Sequence, residues 1–461
     1  MTKARELAEF VVRSSFTDLS KAARDQLRIC VLDALGCAIG ALEGEPVRMV
    51  RHQIEEFGLG GSCSLIGGGA VSPERAALYN GALVRYLDYN DSFLAAGETC
   101  HPSDNVSAVL AASEFAECSG RDFLTALAVA YQVHCRLSEL APVRQKGFDH
   151  TTQGAYAVAA GAAKALGLDA ERTANSLAIC GASLNGLRIT RSGELSQWRG
   201  LAYPHMALAA TDAVLLAAKG VTGPLDVFEG RGGFIDTIAG HFVIDWQVED
   251  LERINHVCLK KHDADIHAQS AVEAVIELQA EQGFAADDVE RVEIDIFEIA
   301  YNLIGGGEEG PRHEVHTKEQ ADRSLPYVIA AALLDGHVLP QQYTHERISR
   351  EDVQELLRKV EVRPLDEFSW RFPEEMPCRV RVYLTDRRVV EKEKRDYDGF
   401  YTRPMSWSDA VTKFERLATR YVEAPLRQDI IDVVDNLANL EVTELTGLLM
   451  RIPDPTRSTL V

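Results

Sequence analysis

For about the first 250 residues, apolar side chains recur at helical spacing, and this feature commits most of the chain to helices packed on helices. The clearest stretches are KAARDQLRICVLDALGCAIGAL, 21 to 42, and AYAVAAGAAKALGL, 155 to 168. Their Ala and Gly residues let neighbouring backbones approach closely. Both are apolar on most faces, which places them inside a bundle.

After residue 256 the period changes. Val292, Ile294 and Ile296 alternate with Glu293 and Asp295, and Val360-Glu361-Val362 repeats the pattern of a half-buried strand. Cys378, Val380, Val382 and Leu384 alternate with Arg379, Arg381 and Tyr383, and Thr385-Asp386-Arg387 turns the chain into Val389-Val390, a hairpin. Helical stretches at 266 to 282 and 319 to 335 separate these strands. From about 406 the helical period returns, and this tail is expected to rejoin the first domain.

A chain of 461 residues exceeds the size at which single cores stop growing. The expected fold is mainly α: a large all-helical domain from residues 1–255 and 396–461, with a smaller α+β domain, 256–395, inserted between its parts.

A net charge of −22 weighs against nucleic acid or an anionic membrane as partner, because both require a basic face. An anionic small molecule would need a local cationic nest. The nine cysteines are scattered without a C-x-x-C pair, so the sequence predicts neither a disulfide scaffold nor a thiolate metal site. The N-terminus lacks the design of a secretory signal and no uninterrupted apolar run of about 18 residues is present, which makes the cytoplasm the expected address. The stretch GLGGSCSLIGGGA, 58 to 70, lacks the G-K-[ST] of a phosphate-binding loop and reads as a connection.

Five polar segments stand out against the apolar helices. YLDYNDSFLAAGETCHPSDN, 86 to 105, ends a helical stretch, and spacing predicts that Asp88 and Ser92 share a helix face. Within it His101 precedes a proline that opens a new helix, which holds a near-neutral titrating group in a defined place. In KGFDHTTQGAYA, His150 sits before Thr151 and Thr152, the expected N-cap of the next helix, where the macrodipole disfavours an imidazolium. LRITRSGELSQWRG gathers Arg188, Arg191 and Arg199, forks that match carboxylates; surface salt bridges are the plain alternative.

CLKKHDADIHAQSAVE sets Lys260, Lys261 and His262 before a helix expected from about Ala264. A lysine beside a second cation can exchange protons near neutrality, although a surface pair is the commoner meaning. In RSLPYVIAAALLDG, Arg323 precedes Tyr327, the one polar aromatic opening an apolar helix, whose hydroxyl serves either packing or a substrate oxygen. None of the histidine pairs has H-E-x-x-H spacing and no G-x-S-x-G elbow occurs, so neither metal nor covalent serine chemistry is expected.

LDYNDSF, CHPSDN, GFDHTT, TRSGELSQWRG, LKKHDADIHAQSA and ADRSLPYVIAAALLDG, in this order and spacing, resemble the MmgE/PrpD family, which includes 2-methylcitrate dehydratase, cis-aconitate decarboxylase and iminodisuccinate epimerase. The resemblance implies an α+β lid on a helical domain, an active site between the two, a homodimer, and no metal or organic cofactor. It assigns Asp88, His101, His150, Lys260 and Tyr327 to catalysis. Ser92, Arg188, Arg191, Arg199, Lys261, His262 and Arg323 would hold the substrate. The chain departs from the family at Arg199, where lysine is usual, and at Leu201, Tyr203 and His205, where smaller residues are common.

On this reading the protein dehydrates a small polycarboxylate such as 2-methylcitrate. Cations would stabilise charge on a carboxylate while a histidine moves a proton. Epimerisation or decarboxylation of a related diacid uses the same groups, and a ligand-binding relative without activity is the rival of another class.

Overall fold

The computed structural model describes residues 1–193 and 196–455; Glu194 and Leu195 of the TRSGELSQWRG segment and residues 456–461 of the tail lie outside them. The protein is mainly α, 58% helical with few strands. It divides into two compact units: Met1–Arg191, Gln197–Cys258 and the chain from Met405 form the first, and Ser192–Ser196 with Leu259–Pro404 the second.

Among its described residues the first unit has nine α-helices in its longer N-terminal part: α1 (Lys3–Arg13), α2 (Lys21–Gly40), α3 (Glu45–Glu56), α4 (Pro73–Tyr86), α5 (Val106–Phe115), α6 (Gly120–Leu140), α7 (Thr151–Ala165), α8 (Ala170–Ser183) and α9 (Trp198–Ala218). Short strands accompany them: β1 (Cys63–Ser64), β2 (Ala70–Val71), β3 (Ser92–Leu94), β4 (Thr99–Cys100) and β5 (Val257–Cys258). Side chains of Ser20, Ser119 and Asp169 accept backbone N–H groups at the starts of α2, α6 and α8, satisfying donors that the first turn leaves open. On α7 a Cβ at Gly161 would lie 2.7 Å from Val109 Cγ2 and 2.9 Å from Ala130 Cβ, so glycine is what lets α7 lie against α5 and α6.

The tail returns to this unit through the helix Trp407–Ala418, followed by Ala424–Asp435 and Val442–Met450. Trp407–Ala418 packs on α2 where Gly36 has no side chain; a Cβ there would be 3.2 Å from Phe414 Cα. Phe414 is fully buried, worth about 1.5–3 kcal/mol. Its neighbour Lys413 pairs with buried Asp33 at 2.7 Å and donates to the Tyr89 carbonyl at 2.8 Å.

By length and mean hydropathy, 1.3 over its most apolar window, α9 could cross a membrane, and among the described residues it alone could. Arg199, His205 and Asp212 interrupt it, and half of the window is buried against its neighbours. Its buried face packs on α4, α7 and α8.

In the second unit β6 (Val289–Ile296), β7 (Val360–Pro364), β8 (Cys378–Leu384) and β9 (Val389–Lys394) form one sheet in the order β7-β6-β8-β9. β6 runs parallel to β7 and antiparallel to β8, and β8 and β9 are the hairpin read from the sequence. One face is apolar and covered by α10 (Gln269–Gln282), against which the helix Leu325–Asp335 packs. The other carries Arg379 opposite Glu393 and Arg381 opposite Glu391. The unit runs on to Pro404 because Leu259 donates to the Gly399 carbonyl at 2.8 Å and Arg403 pairs with Asp396 at 2.7 Å.

Three local expectations are corrected. Asp88 and Ser92 share no helix face: α4 ends at Tyr86, Asp88 takes a left-handed φ of 56°, and Ser92 begins strand β3 (Ser92–Leu94). The N-cap of α7 is His150 rather than a threonine, and its side chain makes no cap hydrogen bond. The helix expected from Ala264 begins as a 3₁₀ turn at Ile266–Ala268, because Asp265 caps it by accepting from His267 N, and continues as α10.

Candidate active site

The left-handed turn after α4 sets the first half of the candidate site. Residues beyond helix C-termini often adopt this conformation, and Asp is among the few side chains that tolerate it. The turn delivers the Asp88 carboxylate to two arginines: Arg85 Nη1 lies 2.6 Å from Oδ1 and Arg199 Nη2 2.6 Å from Oδ2. Arg85 also donates to Asn90 Oδ1 and faces Asp104 at 3.6 Å. All three charged partners are buried, so Asp88 is what allows two guanidinium groups to sit together out of water.

Beyond the turn, β3 pairs with β4 (Thr99–Cys100) and β5 (Val257–Cys258). His101 follows β4 directly and caps the 3₁₀ helix Pro102–Asn105. Its Nδ1 lies 2.8 Å from the Asp91 carbonyl and 3.1 Å from Ser92 Oγ. A carbonyl only accepts, so Nδ1 carries the proton and Nε2 is the basic nitrogen of the neutral ring. The Asp91 carboxylate holds the same turn from behind, accepting from Ser103 N, Ser103 Oγ and Tyr131 Oη. Burial outweighs these hydrogen bonds and raises its pKa to about 7.

His150 lies edge-on to His101, ring centroids 5.5 Å apart. Its Nε2 faces Arg191 Nη2 at 3.2 Å. Arginine only donates, so Nε2 is unprotonated and Nδ1–H is the donor. Nδ1 is buried without a hydrogen-bond partner among the described residues. Burial pushes the His150 pKa well below the ordinary value; Asp149 opposes this, and Arg191, His134 and Arg85 reinforce it. Asp149 is raised by burial but lowered further by Arg191 and His150, and stays well below the usual carboxylate range.

Arg191 is therefore a positioning group rather than an open anion receptor: it donates to Asp149 at 2.9 Å, to the Arg199 carbonyl at 2.8 Å and to His150. Arg188 is half-buried and holds its loop by donating its backbone N–H to the Gly147 carbonyl.

The second unit carries the remaining candidates. Lys260 is fully buried. Lys261 is engaged by Glu273 at 2.9 Å and Asp398 at 2.6 Å, which makes it a structural cation. His262 is buried, with its backbone N–H and C=O both bonded to the Gln269 amide. Arg323 pairs with Asp265 at 2.7 Å. The Tyr327 hydroxyl donates to the Gln342 carbonyl and burial raises its pKa, an arrangement that serves packing.

Sequence reasoning passed over Arg85, Asp149, Asn105 and His134, all buried beside the histidines. Arg85 was visible as the one charge inside an apolar stretch of α4, and His134 shares a face of α6 with Tyr131 and Ser138. Among the described residues no cluster of three or more His, Cys, Asp or Glu could hold a metal ion, and all nine cysteines are unbridged and buried.

One half-buried and one buried imidazole, each with its tautomer fixed and with arginine–aspartate pairs around them, can between them accept and donate a proton. The chain matches the MmgE/PrpD N-terminal domain over residues 5–247 and the MmgE/PrpD C-terminal domain over residues 262–439, and belongs to the MmgE/PrpD family. It is 25% identical over 459 residues to the mitochondrial 2-methylcitrate dehydratase of Yarrowia lipolytica, covering 94% of this chain and 87% of that one. It is 26% identical to the cis-aconitate decarboxylase of Mus musculus, over 83% and 79% of the two chains. To the 2-methylcitrate dehydratase of Salmonella typhimurium it is 26% identical, over 77% and 76%.

Proposed function

We propose that the protein is a lyase that removes water from a small polycarboxylate such as 2-methylcitrate, without a cofactor. The observation that carries this reading is the unequal pair His101 and His150. One ring has its Nδ1 proton tied to a carbonyl and Nε2 left basic; the other accepts from arginine at Nε2 and keeps Nδ1–H as a donor.

In the proposed reaction His101 Nε2 takes the proton on the carbon α to a carboxylate. The C–H electron pair moves toward that carboxylate and then forms the double bond as the β C–O bond breaks. The proton on the His101 imidazolium passes to the departing hydroxide, so water leaves and the ring is neutral again. His150 Nδ1–H donates to the carboxylate oxygen on which charge builds, and Arg199 adds positive charge held in place by Asp88. Lys260 and the role of the α+β unit as a lid belong to the same proposal and rest on the family resemblance.

The test is proton NMR in deuterated buffer, after chelator treatment, with 2-methylcitrate, citrate, cis-aconitate and aspartate-derived diacids supplied separately. Loss of water from a hydroxy acid supports the reading. Loss of carbon dioxide from cis-aconitate moves it to a decarboxylase, and deuterium exchange without elimination to an epimerase. An unchanged spectrum with every acid sinks it.

A cytoplasmic homodimer is part of the proposal. Supporting it, the outward face of α9 exposes Trp198 and Leu216 and half-exposes Leu201, Leu208 and Leu215, with His205 and Asp212 among them. Light scattering that returns a monomer would contradict the dimer.

A further inference from the structure

Behind the two histidines lies a third that the proposed reaction does not use. His134, on α6, is fully buried, with its ring 6.1 Å from His150 and 5.7 Å from Tyr203. Tyr203, on α9, is 5.7 Å from His150 and touches all the elements involved. Its ring lies on the first turn of α7, where a Cβ at Gly154 would be 2.4 Å from Tyr203 Cε2, and its hydroxyl donates to Asn105 Oδ1 at 2.9 Å.

Asn105 ends the 3₁₀ turn that His101 begins, and its amide orientation is fixed from two sides. Nδ2 lies 2.9 Å from the Pro102 carbonyl, which only accepts, so Nδ2 must be the atom facing it. The same Nδ2 lies 3.2 Å from His134 Nδ1. His134 Nδ1 must then be an acceptor, and its proton sits on Nε2. An imidazolium would set N–H against N–H at this contact.

Burial disfavours an imidazolium at His134, but Cys100, Asp104 and Asp91 around it outweigh burial and raise its pKa, so the contact with the Asn105 amide is what opposes a second proton on the ring. A second cation beside His150, where Arg191 already stands, would disturb the donor that the reaction requires.

We propose that Tyr203 is a positioning residue which, through Asn105, locks His134 as a neutral Nε2–H ring and spaces the His101 turn from the helix that carries His150. The inference deepens the proposed proton-transfer reading and rests on it for its catalytic meaning.

The decisive experiment is long-range ¹H–¹⁵N NMR of the histidine rings in the full-length protein without substrate, on the parent, Tyr203→Phe and Asn105→Asp. In the parent at neutral pH, His134 should show an unprotonated Nδ1 and a protonated Nε2. In Tyr203→Phe the amide loses one anchor, and in Asn105→Asp a carboxylate replaces the donor, so both should shift His134 toward the doubly protonated pattern. With an acid substrate, Tyr203→Phe should lower kcat about tenfold and leave KM within about twofold. A doubly protonated His134 in the parent, or ring signals unchanged in both variants while circular dichroism reports native folding, would overturn the proposal. The ring signals need no turnover, so a failure of the lyase reading stays distinguishable from a failure of this one.

Discussion

Asp88 and Arg199 meet at 2.6 Å inside the first unit, and the carboxylate reaches the guanidinium only because its own backbone is left-handed. The pair joins the end of α4 to the start of α9. Where the family usually has lysine, the longer planar fork meets Asp88 with one terminal nitrogen while its backbone carbonyl receives Arg191.

Replacing Arg199 by Ala should therefore cost about 3–5 kcal/mol of stability, because a buried carboxylate is left to share a single cation. Arg199→Lys should recover most of that loss, since a point charge suffices for Asp88. Urea denaturation of the two variants measures both; an alanine variant as stable as the parent would show that the pair carries no stability, and equal losses would show that lysine cannot replace the fork.

His101→Ala should lower turnover by roughly 10²–10⁴, the usual worth of a general base, with a melting temperature close to that of the parent. Ser92→Ala removes only a second contact to Nδ1, with the Asp91 carbonyl still in place, and should cost less than about tenfold. Steady-state kinetics on whichever acid proves to be the substrate ranks the two; a larger effect for Ser92 would move the base elsewhere.

The pH dependence of stability should carry the mark of Asp91. Its folded pKa, about 7, lies above that of an unfolded aspartate, so between pH 4 and 7 the native state binds the extra proton. Stability from this group is present below pH 4 and is lost as pH rises through 7, by up to about 4 kcal/mol. Glu98, at about 7, and Asp104, at about 6, act in the same direction. His150 acts oppositely: its folded pKa is depressed, so its contribution falls away as pH drops below about 6.5. Asp91→Asn keeps an acceptor for Ser103 and a donor toward the Tyr131 oxygen. It should flatten the stability curve between pH 4 and 7; a curve parallel to the parent's would rule out Asp91 as its source.

Gly154→Ala places a methyl group 2.4 Å from the Tyr203 ring, which is held at both ends. A loss of about 1–3 kcal/mol is expected, together with slower turnover from a displaced His150. Thermal denaturation with parallel kinetics checks both, and a variant as stable and active as the parent would mean that the ring has room to move.

Much of this fold was legible in the sequence. β6, β8 and β9 announce themselves because one face is apolar and the other carries Glu293, Arg379 and Arg381, so the two-residue period is plain. The candidate histidines and arginines were found by residue type beside helix starts. The turn at Asp88 was misread because periodicity assumes that the backbone continues, and nothing in spacing signals a left-handed φ in a residue other than glycine. His134, Asn105 and Tyr203 could not be joined, since they come from α6, a 3₁₀ turn and α9 and become neighbours only through packing. The commitments of Arg191, Lys261 and Tyr327 to protein partners were equally invisible, because local sequence does not reveal which groups tertiary structure brings to them.

The return of Lys413 to Asp33 and the Tyr89 carbonyl orders the protein's birth as well as its shape. Tyr89 adjoins the turn that presents Asp88, and its tether is encoded after the whole of the second unit. During synthesis the contacts of Lys413 with Asp33 and Tyr89 therefore cannot form until the whole of the second unit has been made.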